Sequence, residues 1–476
     1  MKVKKSNNTF LRTTITIYFL LGLIAFSIRL YLNFSQELIP GVNGGYYPLQ
    51  VRSILTNGLL GFSDMPLLFY FDAYLIKFIT FFGLSLTDTL IMNVVKIVDS
   101  FSIPLLLIPL YKIIRLEGHK TPIIFETSII SFAVLSFSPL ILTSDLQKNA
   151  LAITFLFCFV AYLLSYLNNK RKFEMILSIV FLILTGLTHF GTFIIAVLFL
   201  VLIIGYIYKR KAIIPLSIVI LIGLGLIAVF DITRLNRLLS IGALAFENSA
   251  LLNKMLAPPD ILIILVSIVL AVVGIIILKT KSSKLRLVQK AIIFACIVCL
   301  IFLSFPLLDG EYFKRLSLFL FIFQILFILQ ISSVISIKQH KAISISLFLF
   351  IFLSIFAVTG HPKETIIDKN AYKELKELKS VIRNDDETIV IARHGLEWWT
   401  AWALHTKVGQ DKAIDSELFN KYKRIIFINQ MSGFSDDSKN TPFHEPKIPR
   451  NSEMIFSAEY FKAFKWNNNQ SLVSQF

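Results

Sequence analysis

Polar side chains that could act on a hydroxyl or a phosphate gather in two stretches of this apolar chain. The first stretch runs from Leu38 to Asp72 and contains a pair of tyrosines and Asp64. The second, T-S-D-L-Q-K-N at 143–149, contains Asp145 and Lys148. A carboxylate can take a proton from a hydroxyl, and the compact charge of an ammonium group can bind a phosphate. Asp64 and Asp145 are therefore the candidate catalytic residues, with Lys148 as a candidate substrate-binding residue.

Each carboxylate also has a simpler interpretation. Asp64 precedes an apolar segment, 65–83, and could cap a helix there. Asp145 could also cap a helix, with Lys148 lying among lipid headgroups. Asp145 could instead bind a divalent cation such as Mg²⁺ or Mn²⁺, although a single carboxylate makes a weak metal site.

The start of the first stretch adds further polar groups. Gly44-Gly45 permits a close approach of another backbone or a positive φ. Tyr46, Tyr47 and Arg52 follow and are predicted to bind substrate at the lip of the membrane. The alternative is a glycine turn beside an interfacial belt of aromatic residues.

Four more residues between apolar runs are candidate substrate ligands: His189, Arg234, Arg237 and Arg315. The two arginines at 234 and 237 are three positions apart, so on a helix they would share a face and could clamp a phosphate. Arg315 begins an apolar run, where charge is costly and often functional. The alternatives are an interfacial amphipathic helix for the arginine pair and a structural hydrogen bond for the histidine.

Composition identifies an α-helical polytopic membrane protein. Of 476 residues, 55% are hydrophobic and 16% are charged, against about 25% charged in soluble chains. The net charge of +17 lies mainly between the apolar runs, where it indicates membrane orientation rather than nucleic-acid binding. We therefore expect membrane lipids, and no nucleic acid, as partners.

About eleven runs are near the length that a membrane helix needs. They are 14–32, 88–112, 122–142, 149–167, 173–188, 190–208, 212–230, 261–278, 290–308, 315–337 and 341–358. Basic connections alternate with acidic ones, which predicts a cytoplasmic N-terminus and a first outer loop at 33–87. If 65–83 were a span, every later loop would lie on the side of the membrane opposite to the one that its charge predicts. We therefore expect that segment to lie along the outer surface of a bacterial cytoplasmic membrane.

The tail, 361–476, changes character and is predicted to be a small extracytoplasmic α/β domain after the membrane domain at 1–360. An amphipathic helix is expected at about 364–383. Strands are expected in E-T-I-V-I-A-R and Y-K-R-I-I-F-I-N-Q, with a helix in H-G-L-E-W-W-T-A-W-A-L-H-T between them. The stretch 431–452 is expected to be irregular. Trp398 and Trp402 share a face of that helix, which favours a packing role over contact with a sugar.

The layout of residues 1–360 resembles the GT-C superfamily of membrane glycosyltransferases, which use sugars linked to polyprenyl phosphate. The similarity at motif level lies in G-V-N-G-G-Y-Y through P-L-L-F-Y at 41–72, and weakly in 143–150. The resemblance implies transfer of a sugar from a polyprenyl-phosphate carrier to a glycan, lipid or protein acceptor. It also implies an acidic residue early in the first outer loop, where this chain has Asn43. An amide cannot take a proton, so Asn43 is at most a substrate ligand and the base must lie elsewhere, with Asp64 as the substitute.

Two other functions remain open on the sequence. Lys96 and Asp99 lie three apart within one span and could form a polar step for a transporter or flippase of lipid-linked sugars, or simply neutralise each other. The absence of the expected acid at position 43 also leaves room for a non-catalytic partner in polysaccharide assembly. The acidic residues gather in the outer loops rather than in mid-membrane, which favours chemistry at the surface.

Overall fold

The computed structural model describes residues 2–117, 121–212, 258–306, 310–383, 385–410, 421–434 and 445–467, with a few isolated positions between 217 and 229. The described part of the chain is mostly helical and ends in a small sheet.

The described residues before the gap at 213–257 form ten helices. They are α1 Lys2–Phe34, α2 Tyr46–Asn57, α3 Leu67–Phe81, α4 Asp88–Ser102, α5 Leu107–Glu117, α6 Ile123–Leu135, α7 Phe137–Ile141, α8 Gln147–Asn169, α9 Lys172–Thr188 and α10 Phe190–Tyr208. The described residues after the gap form α11 Pro258–Thr280, α12 Leu287–Leu303, α13 Gly310–Ser317, α14 Leu320–Ile331, α15 Ile337–Gly360, α16 Lys369–Glu377 and α17 Leu396–Leu404. Short 3-10 turns occupy Pro104–Leu106, Lys209–Ala212, Ser282–Lys284 and Leu378–Ser380.

Among the described residues, eight helical segments are long and apolar enough to cross a membrane. They are Thr13–Phe34, Asp88–Leu116, Ile123–Ile141, Gln147–Asn169, Phe190–Tyr208, Ile261–Thr280, Phe313–Ile331 and Ile337–Gly360. Each coincides with one of the predicted spans. The chain is therefore a polytopic helical membrane protein.

These eight segments are fewer than the predicted total of about eleven spans. Two of the other three predicted spans are the 17-residue helices α9 and α12, and the third, 212–230, lies almost entirely outside the described residues. Helix α3 has 15 residues, so it extends about 22 Å, less than the ~30 Å thickness of the hydrocarbon core. This length agrees with a helix that does not cross, while its placement along the outer surface stays a prediction.

The described residues of the tail form a five-stranded sheet in the order β2-β1-β3-β5-β4. The strands are β1 Thr388–Ala392, β2 Lys407–Gln410, β3 Arg424–Gln430, β4 Glu453–Ser457 and β5 Phe461–Asn467. Strand β1 lies in the centre of a parallel group, with Ile389 opposite Lys407 of β2 and Ile425 of β3. Strand β5 runs antiparallel to β3, and β4 pairs with β5. Strands β1 and β3 and helix α17 were predicted, whereas β2, β4 and β5 were missed.

The predicted amphipathic helix at 364–383 is shorter in the structure. Asp368 caps it by accepting hydrogen bonds from the backbone N–H groups of Asn370 and Ala371, both over 2.8 Å. Such a cap satisfies N–H groups that have no partner within the helix. The helix therefore begins at Lys369, and residues 364–367 are left to pair with other parts of the chain.

The sheet domain and the first loop share one hydrophobic core. Leu38, Ile54 and Leu68 of the loop belong to the same cluster of buried side chains as Ile366 and Trp399 of the tail. A boundary at residue 361 therefore separates two stretches of sequence that fold against each other.

Two glycines allow this contact. A Cβ on Gly45 would lie 3.0 Å from the backbone nitrogen of Trp399, and a Cβ on Gly44 would lie 3.2 Å from the ring of the same tryptophan and 2.0 Å from the carbonyl oxygen of Ile39. The sequence predicts that this glycine pair permits the close approach of another backbone. In the structure, the backbone that approaches is the first turn of α17.

Candidate functional site

Asp64 lies at the centre of a buried polar group. Its Oδ2 accepts hydrogen bonds from the Tyr46 hydroxyl and the Lys148 ammonium group, and its Oδ1 accepts one from the backbone N–H of Met65 over 2.7 Å. Only 2% of the residue is exposed. The side chain does not cap α3, whose N-cap is Pro66.

Helix α2 positions Tyr46 for this bond. The Gln50 side chain donates to the Tyr46 hydroxyl over 3.0 Å and also bonds both backbone groups of Phe62, which places the segment before Asp64 beside the helix. Burial, followed by the charge of Asp64, raises the pKa of Tyr46 above its ordinary value. The phenol therefore keeps its proton and donates a hydrogen bond to Asp64.

Asp145 lies at a second, more open group. Its Oδ1 accepts the backbone N–H of Asn43 over 2.7 Å and the side-chain amide of Asn43 over 3.0 Å. Its Oδ2 lies 4.0 Å from the ammonium nitrogen of Lys363, and 18% of the Asp145 side chain is exposed. One oxygen is thus fixed by two donors, while the other faces only a distant cation among the described residues.

Tyr47 joins the two groups. Its hydroxyl donates to the backbone carbonyl of Asp145 over 3.1 Å, and its ring is 5.7 Å from the ring of Tyr46. Burial is the main cause of its raised pKa, followed by the carboxylates of Asp145, Asp99 and Asp64 in that order. Asp64 and Asp145 are therefore each bonded to one member of the same tyrosine pair.

The turn that carries Asp145 is held from within the helix bundle. Asp99 accepts the backbone N–H of Ser144 over 2.9 Å, and the Ser144 hydroxyl donates to Asn33 over 2.8 Å. Asp99 also forms a 2.9 Å ion pair with Arg29, and neither side chain is exposed. The buried cluster Arg29–Asn33–Asp99–Ser144 thus joins α1, α4 and the turn before α8.

One interpretation of their spacing was that Lys96 and Asp99 neutralise each other. In the structure each is paired with other groups. Lys96 donates to the carbonyl oxygens of Gln36 and Glu37 over 2.8 and 2.9 Å. Asp99 pairs with Arg29 instead. Because each group is bound to a different part of the first loop or first helix, the pair serves to hold the loop on the bundle.

Arg52 contacts protein groups. It donates to the carbonyl oxygens of Ala401 and Trp402, both over 2.8 Å, and its guanidinium carbon lies 4.2 Å above the Trp402 ring. Both carbonyls belong to the last turn of α17, where helix carbonyls run out of backbone donors, and that of Ala401 also accepts the backbone N–H of His405 over 3.1 Å. Arg52 is thus a cap for that helix, and Trp402, which has no exposed surface, is a core residue.

The remaining predicted ligands do not join these two groups in the described structure. His189 caps α10, and its Nδ1 accepts the backbone N–H of Thr192 over 3.1 Å. Arg315 is an exposed residue of α13. Arg234 and Arg237 lie outside the described residues.

Sequence reasoning did not select two residues that the structure brings to the site, Arg29 and Lys363. Arg29 had a usable signal, since it is a charged residue inside the first apolar span. Lys363 follows the last span in H-P-K-E and had none. Its ammonium group donates to the carbonyl oxygen of Ile141 over 2.9 Å, which holds the start of the tail against the end of α7.

A divalent cation does not fit the surroundings of Asp145. Two N–H donors point at one carboxylate oxygen, and an ammonium group is nearest to the other. A metal site needs further oxygen or nitrogen ligands there, and no group of three or more His, Cys, Asp or Glu side chains suited to a metal occurs among the described residues.

Comparison with known proteins adds no relative to this geometry. No protein-family model matches the chain, and no curated protein sequence matches it either. The resemblance to GT-C glycosyltransferases therefore stays a prediction.

Proposed function

We propose that this protein is a glycosyltransferase that moves a sugar from a polyprenyl-phosphate carrier to a glycan, lipid or protein acceptor at the outer face of the cytoplasmic membrane. The observation that carries the proposal is the state of Asp145. Asn43 holds one of its oxygens, the other lies 4.0 Å from the Lys363 nitrogen, and 18% of the side chain is exposed.

Asp145 is better suited than Asp64 to assist the acceptor. Asp64 is buried and accepts bonds from Tyr46, Lys148 and Met65, so it is best suited to hold Lys148 in place. In the proposed step, Oδ2 of Asp145 takes the proton of the acceptor hydroxyl. The acceptor oxygen bonds to the anomeric carbon, and the bond from that carbon to the phosphate oxygen breaks. The electron pair leaves with the polyprenyl phosphate.

The leaving phosphate gains negative charge, so a nearby cation would stabilise it. Lys363 is the candidate of this chain, because 30% of its side chain is exposed and its nitrogen lies 4.0 Å from Asp145. The apolar tail of the carrier would lie in a groove between helices, with the sugar at the level of the first loop.

Asn43 also receives a role in this arrangement. An amide cannot replace the expected acid as a base, but it can orient one. Its two bonds to Asp145 bring a carboxylate from the second outer loop to the place where the resemblance predicts an acid in the first. This supports an enzyme over a non-catalytic partner.

A transporter or flippase is less well supported. That interpretation relied on Lys96 and Asp99 as a polar step inside the bundle. Both are bound to fixed protein groups, Lys96 to two backbone carbonyls and Asp99 to Arg29, Asn33 and Ser144. Groups bound in this way stabilise the fold and are poorly suited to line a transport path for a lipid-linked sugar.

The test is sugar transfer in proteoliposomes from labelled polyprenyl-phosphate sugars. We expect Asp145→Asn to lower turnover by about 10²–10⁴-fold, the usual contribution of a general base, while Asp386→Asn, at a 96% exposed side chain, leaves it unchanged. Transfer by Asp145→Asn at the wild-type rate would overturn the assignment. No transfer from any donor, with lipid-linked sugar crossing the bilayer, would favour a flippase. Neither transfer nor crossing would favour the non-catalytic partner.

A further inference from the structure

The contact between α2 and the last turn of α17 contains a titratable side chain, His405. Besides its bonds to the carbonyl oxygens of Ala401 and Trp402, Arg52 places Nη1 3.2 Å from Nε2 of His405, the residue that follows α17. An arginine side chain has no hydrogen-bond acceptor, so Arg52 donates and Nε2 accepts. Nδ1 then carries the proton of a neutral imidazole, and protonation of Nε2 would remove this bond.

The backbone fixes His405 at this position. The residue is the C-cap of α17 with φ +57°, and its N–H donates to the carbonyl oxygen of Ala401 over 3.1 Å. The side chain is nevertheless 41% exposed, so protons from the solvent reach the imidazole. The histidine is therefore held against Arg52 and open to the pH of its surroundings.

The charges around His405 oppose its protonation. Arg52 of α2 and Lys379 of the turn Leu378–Ser380 are cations. Asp88 at the start of α4 has its two oxygens 3.8 Å from nitrogens of Arg52 and His405. Burial lowers the pKa of His405 below its ordinary value, the charges of Arg52 and then Lys379 lower it further, and Asp88 acts against them. Two cations thus outweigh one carboxylate.

The other described elements that pack against α17 do not change this balance. Tyr372 of α16 lies near Arg52, and burial raises the pKa of its phenol, so it stays neutral. Lys407 of β2 forms a 2.8 Å ion pair with Asp386. Strand β1, T-I-V-I-A, carries no charged side chain. Protonation of His405 is therefore opposed mainly by the two cations described above.

Helix α2 connects this contact to the candidate site. Its first residue, Tyr46, donates to Asp64, and the Tyr46 ring lies 4.9 Å from the ring of Trp398 in the first turn of α17. Further along α2, Arg52 contacts the last turn of α17. The two helices therefore touch at both the first and the last turn of α17, with the site beside the first and His405 beside the last.

We infer that His405 is a pH-sensitive latch between the sheet domain and the first loop. The neutral imidazole accepts the Arg52 hydrogen bond and holds the last turn of α17 on α2. The imidazolium cannot accept that bond and is repelled by Arg52 and Lys379, so the contact weakens. The effect of this latch on sugar transfer rests on the proposed function, whereas the latch itself does not.

The direction of the pH effect follows from proton linkage. A histidine released from the contact has the ordinary pKa of about 6.5, whereas the pKa of His405 in the contact is lower. The released form therefore binds the proton more readily. The contribution of His405 to the contact is fully present above about pH 6.5 and is lost as pH falls towards the lowered pKa.

The test is hydrogen–deuterium exchange of the full chain in micelles at pH 7.5 and 5.5, followed by mass spectrometry on peptides from α2 and α17. Rates are corrected for the intrinsic pH dependence of amide exchange. One unit below a pKa of about 6.5, a single proton can lower protection by at most about tenfold. We expect wild-type protection in the last turn of α17 to fall by about three- to tenfold between the two pH values.

His405→Asn should keep the same protection at both pH values. Asparagine tolerates the left-handed cap, offers a carbonyl oxygen to Arg52 and does not titrate. The matched control is His361→Ala, which removes another exposed histidine, at the end of α15, and should lose protection in acid as the wild type does. Wild-type protection that is equal at both pH values, or an equal fall in His405→Asn, would overturn the latch.

The two proposals fail separately. If the latch acts on the enzyme, acid lowers sugar transfer less in His405→Asn than in the wild type, whereas protonation of Asp145 affects both proteins equally. Exchange that depends on His405 in a protein without any transfer would keep the latch and remove the enzyme. Transfer together with exchange that does not depend on His405 would keep the enzyme and remove the latch.

Discussion

The carboxylate of Asp99 accepts a hydrogen bond from the backbone N–H of Ser144 over 2.9 Å. Ser144 has φ +70°, in the left-handed region that costs a residue with a Cβ about 1–2 kcal/mol. The bond from Asp99 stabilises this conformation, and the next residue is Asp145. A buried acid in the bundle therefore sets the direction of the candidate catalytic acid.

The ion pair behind this bond gives the first prediction. Asp99→Asn leaves Arg29, which is fully buried, without a counter-charge. Breaking a buried pair in this way costs about 3–5 kcal/mol, so we expect the free energy of unfolding in mixed micelles to fall by that amount. The matched control is a cycle of the single variants Arg29→Met and Asp99→Leu with the double variant Arg29→Met/Asp99→Leu. The double variant removes both charges and should lose less stability than those two single variants combined. Strictly additive losses would contradict a direct pairing.

The second prediction separates the two candidate carboxylates by stability. Asp64→Asn should lower the free energy of unfolding by about 3–5 kcal/mol, because it leaves the buried Lys148 without its counter-charge. Asp145→Asn should change it by less than about 1 kcal/mol, since Asp145 is partly exposed and its cation is distant. Unfolding of the two variants and the wild type in the same micelles makes the comparison. Equal losses would mean that the two acids have the same structural role.

The third prediction concerns the contact between the first loop and α17. Gly44→Ala would place a Cβ 2.0 Å from the carbonyl oxygen of Ile39 and 3.2 Å from the Trp399 ring, so the backbone of the loop must shift at the place where it contacts α17. We expect the sheet domain to become more sensitive to limited proteolysis and the unfolding temperature to drop. Gly205→Ala is the control, because a Cβ there meets nothing within 4 Å in helix α10, and alanine should stabilise the helix slightly. Unchanged protease sensitivity of Gly44→Ala would contradict the close approach.

The fourth prediction is a pH effect from Asp72. This residue is fully buried, and neither carboxylate oxygen has a hydrogen-bond partner among the described residues. Burial, followed by the charge of Asp99, raises the pKa of Asp72 well above its ordinary value. The unfolded chain therefore releases this proton near pH 4 while the folded chain keeps it. The contribution of Asp72 to stability should be fully present below that pH and be lost as pH rises towards the folded pKa.

Asp72→Asn should remove this part of the decline, because the amide keeps the shape and does not titrate. Thermal unfolding of the wild type and the variant between pH 4.5 and 8 measures the difference. Asp386→Asn, at an exposed carboxylate, should keep the wild-type pH dependence. A variant whose unfolding temperature follows the wild-type curve throughout would show that Asp72 does not hold its proton in the folded state.

Much of the architecture follows from local sequence. A membrane helix is defined by a run of apolar residues long enough to cross the bilayer, so the eight segments that the structure supports could be read directly. The same holds for β1 and β3, which are continuous apolar runs in a polar tail. Strands β4 and β5 were missed because their exposed residues are mixed with apolar ones, and β2 has only four residues.

The candidate site depends on pairings that no local pattern specifies. Asn43 and Asp145 are 102 positions apart, and Arg52 and Trp402 are 350 apart. The sequence predicts that these polar and aromatic groups lie near a membrane surface, and it therefore predicts that Arg52 binds substrate. Only the packing of α2 against α17 shows that the N–H groups of Arg52 donate to backbone carbonyls.

The sequence by itself determined that this is a membrane protein with a polar first loop, a glycine pair in it that permits a close backbone approach, and a small α/β tail. Tertiary structure decided which charges meet. The physical reason is the range of the two effects. Partition of an apolar segment into lipid depends on that segment alone, whereas an ion pair or hydrogen bond acts over a few ångströms and requires the rest of the chain to bring its partners together.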